Sequence, residues 1–516
     1  MKKLFKGIAV CLAATMALGM ASFASDAAET ESTVSDETLV IGTFGEPVCL
    51  YTIKGTNMNT IPISNLINDG LTGYDTETGE LYPLVADSWE QIEDCVWQFK
   101  IHQGIIAYDG TELTANDVLY TIKEGQEYHI STTWADIDLE NTEVIDDYTI
   151  NIATYNPMSY LPKVLANGAI LPMVSESSVE AAGGPDACMR NPQMGVGPYK
   201  FVEWVDGEYI TLERNEDYYG ELPYYKTIQI RFISDNATRI MELESGTVDL
   251  ILNVPATQFD YLASNPSFTT YDFTTDLNYE LIFNTTVAPF DNTQVRQAIA
   301  KVIDQDVILM AAGMGYGTAM DNTNIAPSNP YYTEPSEEDK AVDVEAAKAL
   351  LAEAGYPDGF EMKLTTMAAY SGITDIVQAE LAQIGITVVL DTVDMATLVQ
   401  SLQTGAFDAI MGTEIPAGDL SYPLHKYDSR LEFTQVQGST GWGNDELNAL
   451  IDTASYSSDE TEIAGAMAQI QTILRENVPL ISFYTYDTLY ASKNTITGAK
   501  TDIRGMAYLR FVRAAE

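Results

Sequence analysis

Apolar and polar residues alternate along early segments of the chain in the way that half-buried strands require. Residues 96–101 read Val-Trp-Gln-Phe-Lys-Ile, residues 149–152 repeat the alternation, and residues 39–44 form a run typical of a buried strand. Between the first two segments, Thr114 is a good N-cap, and Asp117 suits the positive end of a helix dipole. The pattern therefore predicts three strands and a helix that begins near Thr114.

The second half of the chain repeats one unit, in which an amphipathic helix ends on glycine and a short apolar strand follows at once. The glycines are Gly246, Gly385 and Gly405, and the strands after them are predicted at residues 248–252, 386–390 and 407–411. The residue after a helix often takes the left-handed conformation, which glycine adopts at least cost. Repeated helix–strand units predict α/β layers. Further helices are predicted at residues 294–304, 344–354, 445–453 and 461–477.

The net charge of the chain limits the classes of partner that the protein can bind. The 516 residues include 75 Asp and Glu against 26 Lys and Arg, a formal charge of −49. Such an excess of acid repels phosphate backbones and anionic headgroups, so nucleic acid is not expected as a partner. The excess of acidic residues is typical of a solvated surface that keeps an exported protein soluble. A cation-selective site is the alternative interpretation of these residues. The apolar fraction is 46%, and the length suggests about three globular units.

The beginning of the chain is typical of an export signal. Three lysines precede an apolar run at residues 8–24 that ends in small residues, which predicts a cleavable signal peptide over residues 1–24. The polar, acidic residues 25–37 predict a flexible linker, with folded structure from Leu39 onward. Because the apolar run before Cys11 is too short for a good lipoprotein processing site, lipid anchoring is not expected.

Motifs for catalysis and metal binding are mostly missing from the sequence. The three histidines are scattered and no two stand four residues apart, so the helix of a zinc protease is absent. The sequence contains no nucleophile elbow and no phosphate loop ending in Gly-Lys-Ser/Thr. The acidic alternation at residues 75–80 predicts a polar hairpin turn and lacks the spacing of a calcium loop. Cys49, Cys95 and Cys188 allow at most one disulfide.

An ordered series of motifs resembles a known family. It includes Leu-Thr-Gly-Tyr-Asp at 71–75, Pro-Leu-Val-Ala-Asp-Ser-Trp-Glu at 83–90, Asp-Gly-Thr-Glu-Leu-Thr-Ala-Asn-Asp-Val at 109–118, Gly-Val-Gly-Pro-Tyr-Lys at 195–200 and Val-Arg-Gln-Ala-Ile at 295–299. This series covers nearly the whole exported chain in the family's order. It resembles the family 5 extracellular solute-binding proteins, which include the oligopeptide and dipeptide receptors of ABC importers.

The resemblance implies an α/β architecture, a two-lobed periplasmic-binding-protein type II fold with an extra subdomain in the larger lobe. It implies a larger lobe at residues 38–280 and 482–516, an extra subdomain at approximately 52–195, and a smaller lobe at 281–481. Residues 278–285 and 479–486 are apolar and strand-like where the chain would cross between the lobes. Plain core strands are the alternative interpretation of both segments.

In open α/β sheets, ligands bind beyond the carboxyl ends of strands. The residues that this rule selects are Gly45, Glu46, Asn253, Thr413 and Glu414. Asp419 falls where peptide-binding members of the resembled family carry the aspartate that pairs with the peptide's ammonium group, and a loop-capping role is its alternative. Trp442 offers an aromatic ring beside the site or, alternatively, a buried structural ring.

The resemblance implies a receptor, not an enzyme, that captures peptides and passes them to an ABC permease in the membrane. A monomer that requires no cofactor and no metal is expected. Dipeptide-specific relatives carry an arginine near the position of Lys363, whereas here no Lys or Arg lies between Lys363 and Lys426. Peptides longer than dipeptides are therefore favoured. A cello-oligosaccharide, nickel chelate, haem or opine is the alternative ligand, and a secreted hydrolase is a remote third hypothesis.

Overall fold

A computed structural model describes residues 34–515 apart from positions 77, 129–133, 135, 167, 169–170, 415–421, 432–438 and 458. The strands in chain order are β1 (Ser35–Thr43), β2 (Thr72–Tyr74), β3 (Leu81–Pro83), β4 (Ala86–Glu93), β5 (Val96–Ile101), β6 (Glu143–Asp146), β7 (Thr149–Ala153), β8 (Tyr199–Val205), β9 (Tyr209–Arg214), β10 (Tyr225–Phe232), β11 (Leu250–Ile251), β12 (Phe268–Phe273), β13 (Asn278–Phe283), β14 (Gly317–Ala319), β15 (Glu361–Thr366), β16 (Thr387–Thr392), β17 (Ala409–Glu414), β18 (Leu480–Tyr486), β19 (Thr488–Lys493), β20 (Ile496–Thr497) and β21 (Arg513–Ala514).

Helices are distributed along the whole described chain. They are α1 (Ile61–Ile67), α2 (Ala115–Tyr128), α3 (Leu161–Val164), α4 (Glu176–Ala182), α5 (Pro185–Cys188), α6 (Asn236–Ser245), α7 (Ala256–Ala263), α8 (Thr293–Ala300), α9 (Gln305–Ala312), α10 (Glu337–Lys340), α11 (Val344–Glu353), α12 (Ser371–Ala382), α13 (Met395–Thr404), α14 (Asp445–Tyr456) and α15 (Glu460–Asn477). Short 3₁₀ segments cover Ala368–Tyr370, Tyr422–Tyr427 and Leu509–Phe511.

Several of the chain's aspartates cap the N-termini of helices. An aspartate side chain accepts a hydrogen bond from a first-turn N–H at the start of α6, α9, α11, α13 and α15, and these caps are Asp235, Asp304, Asp343, Asp394 and Asp459. Each such cap stabilises its helix by about 1 kcal/mol relative to alanine, because it pairs an N–H that has no partner inside the helix.

The larger lobe is built on a seven-stranded sheet with the order β12-β19-β11-β1-β10-β9-β8. In its centre β1 pairs in parallel with both β10 and β11, and the flanking strands run antiparallel. Leu39, Ile41 and Ile228 on these central strands are fully buried. The apolar residues that predicted the first strand therefore form the core of this lobe.

The smaller lobe is built on a six-stranded sheet with the order β14-β18-β13-β17-β15-β16. β15 pairs in parallel with β16 and β17, whereas β13 runs antiparallel to both β17 and β18. A continuous hydrophobic core joins this sheet to the helices packed on it, including residues of α8, α11, α12 and α15. The repeated helix–strand units of the sequence are the source of this layered structure.

The chain passes between the two sheets at two short connections. Residues 274–277 join β12 to β13, and the single residue Asp487 joins β18 to β19. The segments predicted to cross between lobes are thus strands of the smaller lobe that lie directly beside the connections. The lobe boundaries predicted at 280/281 and 481/482 fall inside β13 and β18.

A four-stranded antiparallel sheet with the order β4-β5-β7-β6 forms a separate layer within residues 86–153. Helix α2 packs on it, and Trp134 is fully buried in the same core. A Cβ atom at Gly125 of α2 would lie 2.5 Å from the ring of Trp134, so only glycine allows the two to pack. This sheet lies inside the range predicted for the extra subdomain.

Most of the elements predicted from periodicity are confirmed. β5 has the predicted bounds, β7 extends the predicted strand by one residue, and α2 begins directly after Thr114. Gly246, Gly385 and Gly405 have φ angles of 78°, 82° and 67°, the left-handed conformation expected of them. The predicted polar hairpin is the turn between the paired strands β2 and β3.

The boundary between linker and fold is corrected by the structure. β1 begins at Ser35, so the predicted start at Leu39 and the last three residues of the predicted linker are wrong. The Ser35 N–H donates to the Tyr224 carbonyl at 2.8 Å. Because backbone hydrogen bonds hold this end of the strand, its exposed polar side chains gave no apolar signal. The predicted signal peptide lies outside the described residues.

Two further boundaries differ from the prediction. The helix predicted at 294–304 is α8, which ends at Ala300, because Asp304 caps the next helix, α9. The strand predicted at 407–411 is β17 at Ala409–Glu414.

Cys49, Cys95 and Cys188 are free thiols. Within the described ranges, no helix combines the length and apolarity that crossing a membrane requires.

Candidate ligand-binding site

The carboxyl ends of the parallel strands in the smaller lobe lie at one edge of its sheet. β15, β16 and β17 end there, at Thr366, Thr392 and Glu414. β13 is antiparallel to β17, so it begins at this edge, and β18 ends at this edge with Tyr486. This edge is therefore the one from which both connections leave for the larger lobe.

The larger lobe presents the corresponding edge to the same connections. β1, β10 and β11 end at this edge. β19 begins there because it is antiparallel to β11, and β12 ends there because it is antiparallel to β19. Since only Asp487 separates β18 from β19, the two edges approach within about 7 Å at that connection. The cleft between the edges is where the strand rule places a ligand.

Four tyrosines form an aromatic wall at the edge of the smaller lobe. The centroid of the Tyr279 ring lies 4.7 Å from that of Tyr486, 5.4 Å from that of Tyr484 and 5.6 Å from that of Tyr370. Burial raises the pKa of Tyr279 to about 12, so its hydroxyl stays protonated at neutral pH. We call Tyr279, Tyr370, Tyr484 and Tyr486 the tyrosine wall.

Thr413, a predicted site residue, lies against this wall. It is half-buried, pairs with Tyr279 across β17 and β13, and its side chain is hydrogen-bonded to that of Tyr370. The rule that ligands bind beyond strand ends predicted Thr413 but none of the four tyrosines. Tyrosines at residues 279, 484 and 486 are visible in the strand-like segments next to the predicted crossings. The sequence gives no indication that these distant segments pair.

On the opposite face of β13 and β17, three charged side chains form a buried cluster. The Lys426 ammonium lies 2.5 Å from the Glu280 carboxylate and is also paired with Glu414. The side chains of Glu280, Glu414 and Lys426 are 0%, 4% and 7% exposed. Burial alone would lower the pKa of Lys426, but the two carboxylates raise it overall, so the lysine is charged.

This buried cluster changes the interpretation of Glu414. Its carboxylate is held by Lys426 on the face that points away from Thr413. A contact between Glu414 and a ligand stays a prediction, and the structure gives its carboxylate a supporting role beneath the edge. The cluster lies at the end of β17, directly before residues 415–421 in the sequence.

Glu46 is held by contacts within the larger lobe. Its carboxylate accepts hydrogen bonds from the Trp204 Nε1–H at 2.7 Å and the Gly207 N–H at 3.3 Å. The Arg190 guanidinium lies 3.4 Å from the Trp204 ring centroid and 3.7 Å from the Glu46 carboxylate. Gly45 packs against Asn59, whose amide nitrogen would lie 2.7 Å from a Cβ atom there. Gly45 and Glu46 both lie at the edge of the sheet, and the carboxylate of Glu46 is already hydrogen-bonded within the larger lobe.

Asn253 follows β11 with a left-handed φ of 54° and an exposed side chain. Its carbonyl accepts a hydrogen bond from Arg239 at 2.9 Å, and Arg239 also donates to the Ile233 carbonyl at 2.8 Å. Because Arg239 is 1% exposed, it braces the ends of β10 and β11 from inside. The side chain of Asn253 is thereby left available to the cleft.

The last two predicted site residues lie after the sheet of the smaller lobe. Trp442 is half-buried and packs against the core of that lobe, and its backbone N–H donates to the Thr440 hydroxyl at 3.2 Å. Asp419 lies outside the described residues. Its predicted role as the partner of a peptide ammonium group therefore stays a prediction.

Comparison with known proteins agrees with this architecture. A sequence model described as Bacterial extracellular solute-binding proteins, family 5 Middle, matches residues 80–425. The oligopeptide-binding protein AppA of Bacillus subtilis is 27% identical over 496 residues, which cover 90% of this chain and 88% of AppA.

Solved structures show the same fold. The periplasmic binding protein DppA of Helicobacter pylori, in complex with the peptide STSA, has a TM-score of 0.81 at 22% identity, covering 93% of this chain and 98% of DppA. AgaA of A. tumefaciens R10, in complex with agropinic acid, has a TM-score of 0.78 at 27% identity, covering 93% and 99%. The two-lobed type II binding-protein fold is thus confirmed, and the chain belongs to the bacterial extracellular solute-binding proteins of family 5.

Proposed function

We propose that this chain is the receptor of an ABC importer, which captures a peptide outside the cytoplasmic membrane and delivers it to a permease without catalysing a reaction. The observation that carries the proposal is the cleft between two sheets whose carboxyl edges face the same two short connections. Such connections allow the lobes to close on a ligand like a hinge. The similarity to the oligopeptide-binding protein AppA and to DppA in complex with a peptide supports a peptide as that ligand.

The edge of the smaller lobe suits one end of a peptide. Glu280 and Glu414 lie beside and at the end of β17, which residues 415–421 with Asp419 follow in the sequence, and the chain as a whole has a formal charge of −49. Negative charge in a partly dehydrated cleft favours an ammonium group over a neutral or anionic one. A peptide's free N-terminus, bound to Asp419, is the ligand group that this charge distribution favours.

The remainder of the site can bind a peptide without reading its sequence. An extended peptide offers backbone N–H and C=O groups to the exposed strand ends, and water fills side-chain pockets that fit loosely. Tyr279 and Tyr486, the half-buried members of the tyrosine wall, add apolar area. Micromolar affinity requires about −8 kcal/mol, which these contacts together supply.

A second candidate ligand is favoured by the same wall. Clustered tyrosine rings bind planar or sugar-like solutes as well as peptides, and AgaA is in complex with agropinic acid. A non-peptide solute such as an opine, a haem, a nickel chelate or a cello-oligosaccharide is therefore the alternative. For such a solute the tyrosine wall would provide the main contact, and Asp419 a lesser one.

Two measurements on the exported protein test the proposal. Native mass spectrometry of gently purified protein should show a bound mass that fragments as a peptide. Calorimetry with alanine peptides from dipeptide to nonapeptide, each free and N-acetylated, should show tighter binding of the free peptides and of the longer ones. The contrary result is a cello-oligosaccharide, haem or nickel chelate that binds while no peptide does.

A further inference from the structure

The two connections between the lobes lie side by side. The Tyr486 N–H donates to the Leu277 carbonyl at 2.8 Å, and the Thr275 hydroxyl donates to the Tyr486 carbonyl at 2.7 Å. These bonds join the end of β18 to the first connection, directly before Asp487. Because the strands on either side are held in sheets, a hinge motion must be absorbed by the backbone of Asp487 and of residues 274–277.

A third contact between the lobes lies beside Asp487. Tyr316, directly before β14 of the smaller lobe, packs its ring against that of Phe259 on α7 of the larger lobe, with the centroids 5.1 Å apart. The Tyr316 hydroxyl donates to the Asp260 carboxylate at 2.5 Å, and the Tyr316 carbonyl accepts from the Asp487 N–H at 3.5 Å. The backbone of Asp487 is therefore held by a residue that contacts both lobes.

The side chain of Asp487 meets a second carboxyl group. Asp272 of β12 pairs with Leu489 of β19. Because side chains alternate along an extended chain, residues 487 and 489 lie on the same face, and Asp272 is the diagonal neighbour of Asp487. The side chains of the two aspartates are hydrogen-bonded to each other. We call Asp272 and Asp487 the hinge pair.

The hydrogen bond within the hinge pair requires a proton. Two ionised carboxylates are acceptors only, so one member of the pair must be protonated to donate. Oδ1 of Asp487 is buried, and no donor among the described residues reaches it. In the same part of the chain, no lysine or arginine belongs to the electrostatic surroundings of Asp487. Without the proton, the two carboxylates would repel each other at short range.

Other titratable groups near the hinge are engaged with partners of their own. Asp260 accepts from Tyr316, and this hydrogen bond raises the pKa of the Tyr316 hydroxyl to about 12, so the hydroxyl stays protonated. Asp276 in the first connection accepts from Ser328 of the smaller lobe and lies within electrostatic range of Lys163. These contacts leave the hinge pair to hold its proton as a unit.

The pH range in which the hinge pair holds its proton follows from its surroundings. Burial and the neighbouring Asp272 raise the pKa of the Asp487 carboxyl from 3.8 to about 7. A raised pKa means that this arrangement binds the proton more tightly than one in which the two carboxyls have separated. The stabilisation from the shared proton is therefore present at acidic pH and lost as pH rises through about 7.

We propose that the hinge pair is a pH-sensitive element of the hinge, which restrains movement of the lobes while Asp272 and Asp487 share a proton and releases them when both are ionised. Because the second connection is the single residue Asp487, rotation about its backbone turns its side chain away from Asp272. The inference goes beyond the proposed function: it needs the two-lobed fold and holds for any ligand that the cleft binds.

The test is hydrogen–deuterium exchange with mass spectrometry on the full exported protein without ligand. Exchange of residues 270–278 and 484–489, divided by the intrinsic rate at each pH, gives the protection of the hinge at pH 5 and pH 8.5. In D487N the amide donates to Asp272 at every pH, and in D487A the pair is lost. The control is D375N, which changes an exposed aspartate of α12.

In the wild type and D375N, protection of the two hinge segments should fall roughly 10- to 100-fold from pH 5 to pH 8.5, beyond any change in β15. D487N should keep high protection at both pH values and change less than about twofold, because its hydrogen bond needs no shared proton. D487A should show low protection at both. Melting temperatures above the temperature of the experiment show that each variant is folded.

Several results would overturn the inference. Hinge protection in the wild type that changes less than about twofold between the two pH values rejects the pH dependence. A fall in D487N as large as that of the wild type, or low protection in both D487N and D487A at pH 5, rejects the shared proton. A fall of equal size in β15 makes the effect global. Each of these results leaves peptide capture untouched, since no ligand is present.

Discussion

The two lobes stabilise their buried carboxylates in different ways. In the larger lobe, Asp69 is 0% exposed and is paired with Arg510 at 2.7 Å, and the hydroxyls of Tyr218 and Tyr219 each donate to it at 2.8 Å. Asp502 is likewise paired with Arg504. Each of these carboxylates has its own guanidinium.

In the smaller lobe the ratio of buried carboxylates to cations is different. Glu280 and Glu414 share one ammonium, that of Lys426, at the edge where the cleft begins. Matched pairs are typical of structural positions, because an unmatched buried charge costs several kcal/mol. The comparison therefore indicates that the larger lobe is built as a fixed support and that the smaller lobe gathers two carboxylates around one ammonium at the edge of the site.

The largest effect is expected from removing the shared cation. K426M leaves two carboxylates buried without their ammonium, which should lower the free energy of unfolding of the smaller lobe by about 3–5 kcal/mol. The matched control is K363M, which breaks an exposed pair and should cost less than about 1 kcal/mol. Denaturant titration measures both. Equal, small effects would mean that the cluster does not stabilise the lobe.

An effect of similar size on binding is expected at Asp419. If this aspartate pairs with a peptide ammonium in a closed cleft, Asp419→Ala should lower affinity by about 3–5 kcal/mol, or roughly 150- to 5,000-fold. Asp419→Asn should be almost as harmful, since it keeps the shape and loses the charge. Calorimetry with free and N-acetylated peptides checks the assignment. A variant that still prefers free peptides would move the ammonium partner to another residue.

A smaller, pH-dependent effect is expected at Glu380 of the smaller lobe. Burial raises the pKa of this carboxyl to about 7, and it is 8% exposed. A raised pKa means that the folded protein binds the proton more tightly than the unfolded chain, so stability falls as pH rises from about 4.5 to 7. Glu380→Gln should therefore stabilise the protein at pH 8 by up to about 3 kcal/mol and leave it unchanged at pH 4.

Melting temperatures of the wild type and Glu380→Gln, measured between pH 4 and pH 8, test this pH dependence. The control is Glu361→Gln at an exposed position of β15, which should show no such pH dependence. If Glu380→Gln gains as much at pH 4 as at pH 8, its effect does not come from ionisation.

The sequence predicted which residues lie at the sheet edges better than it predicted their contacts. The strand rule placed Glu46, Asn253 and Thr413 at the edges that border the cleft, because apolar strands and the residues after them are visible in a single sequence. It did not show that Glu46 is engaged by Trp204. That contact depends on how distant loops fold back, which hydrophobic periodicity does not record.

Long-range pairing explains the other omissions. Glu280, Glu414 and Lys426 come together only because β13 pairs with β17 in one register and Lys426 returns beneath them. Tyr279 and Tyr486 meet for the same reason.

The smallest effect is expected at Glu46, where the comparison of the lobes can be sharpened. If the larger lobe is a fixed support, Glu46→Gln weakens the hydrogen bond from Trp204 and the interaction with Arg190, and should cost about 1 kcal/mol of stability. Peptide affinity should change less than about twofold, or 0.4 kcal/mol. Glu208→Gln, an exposed change nearby, is the control for stability. A large loss of affinity with unchanged stability would instead make Glu46 a ligand contact, as the strand rule alone predicts.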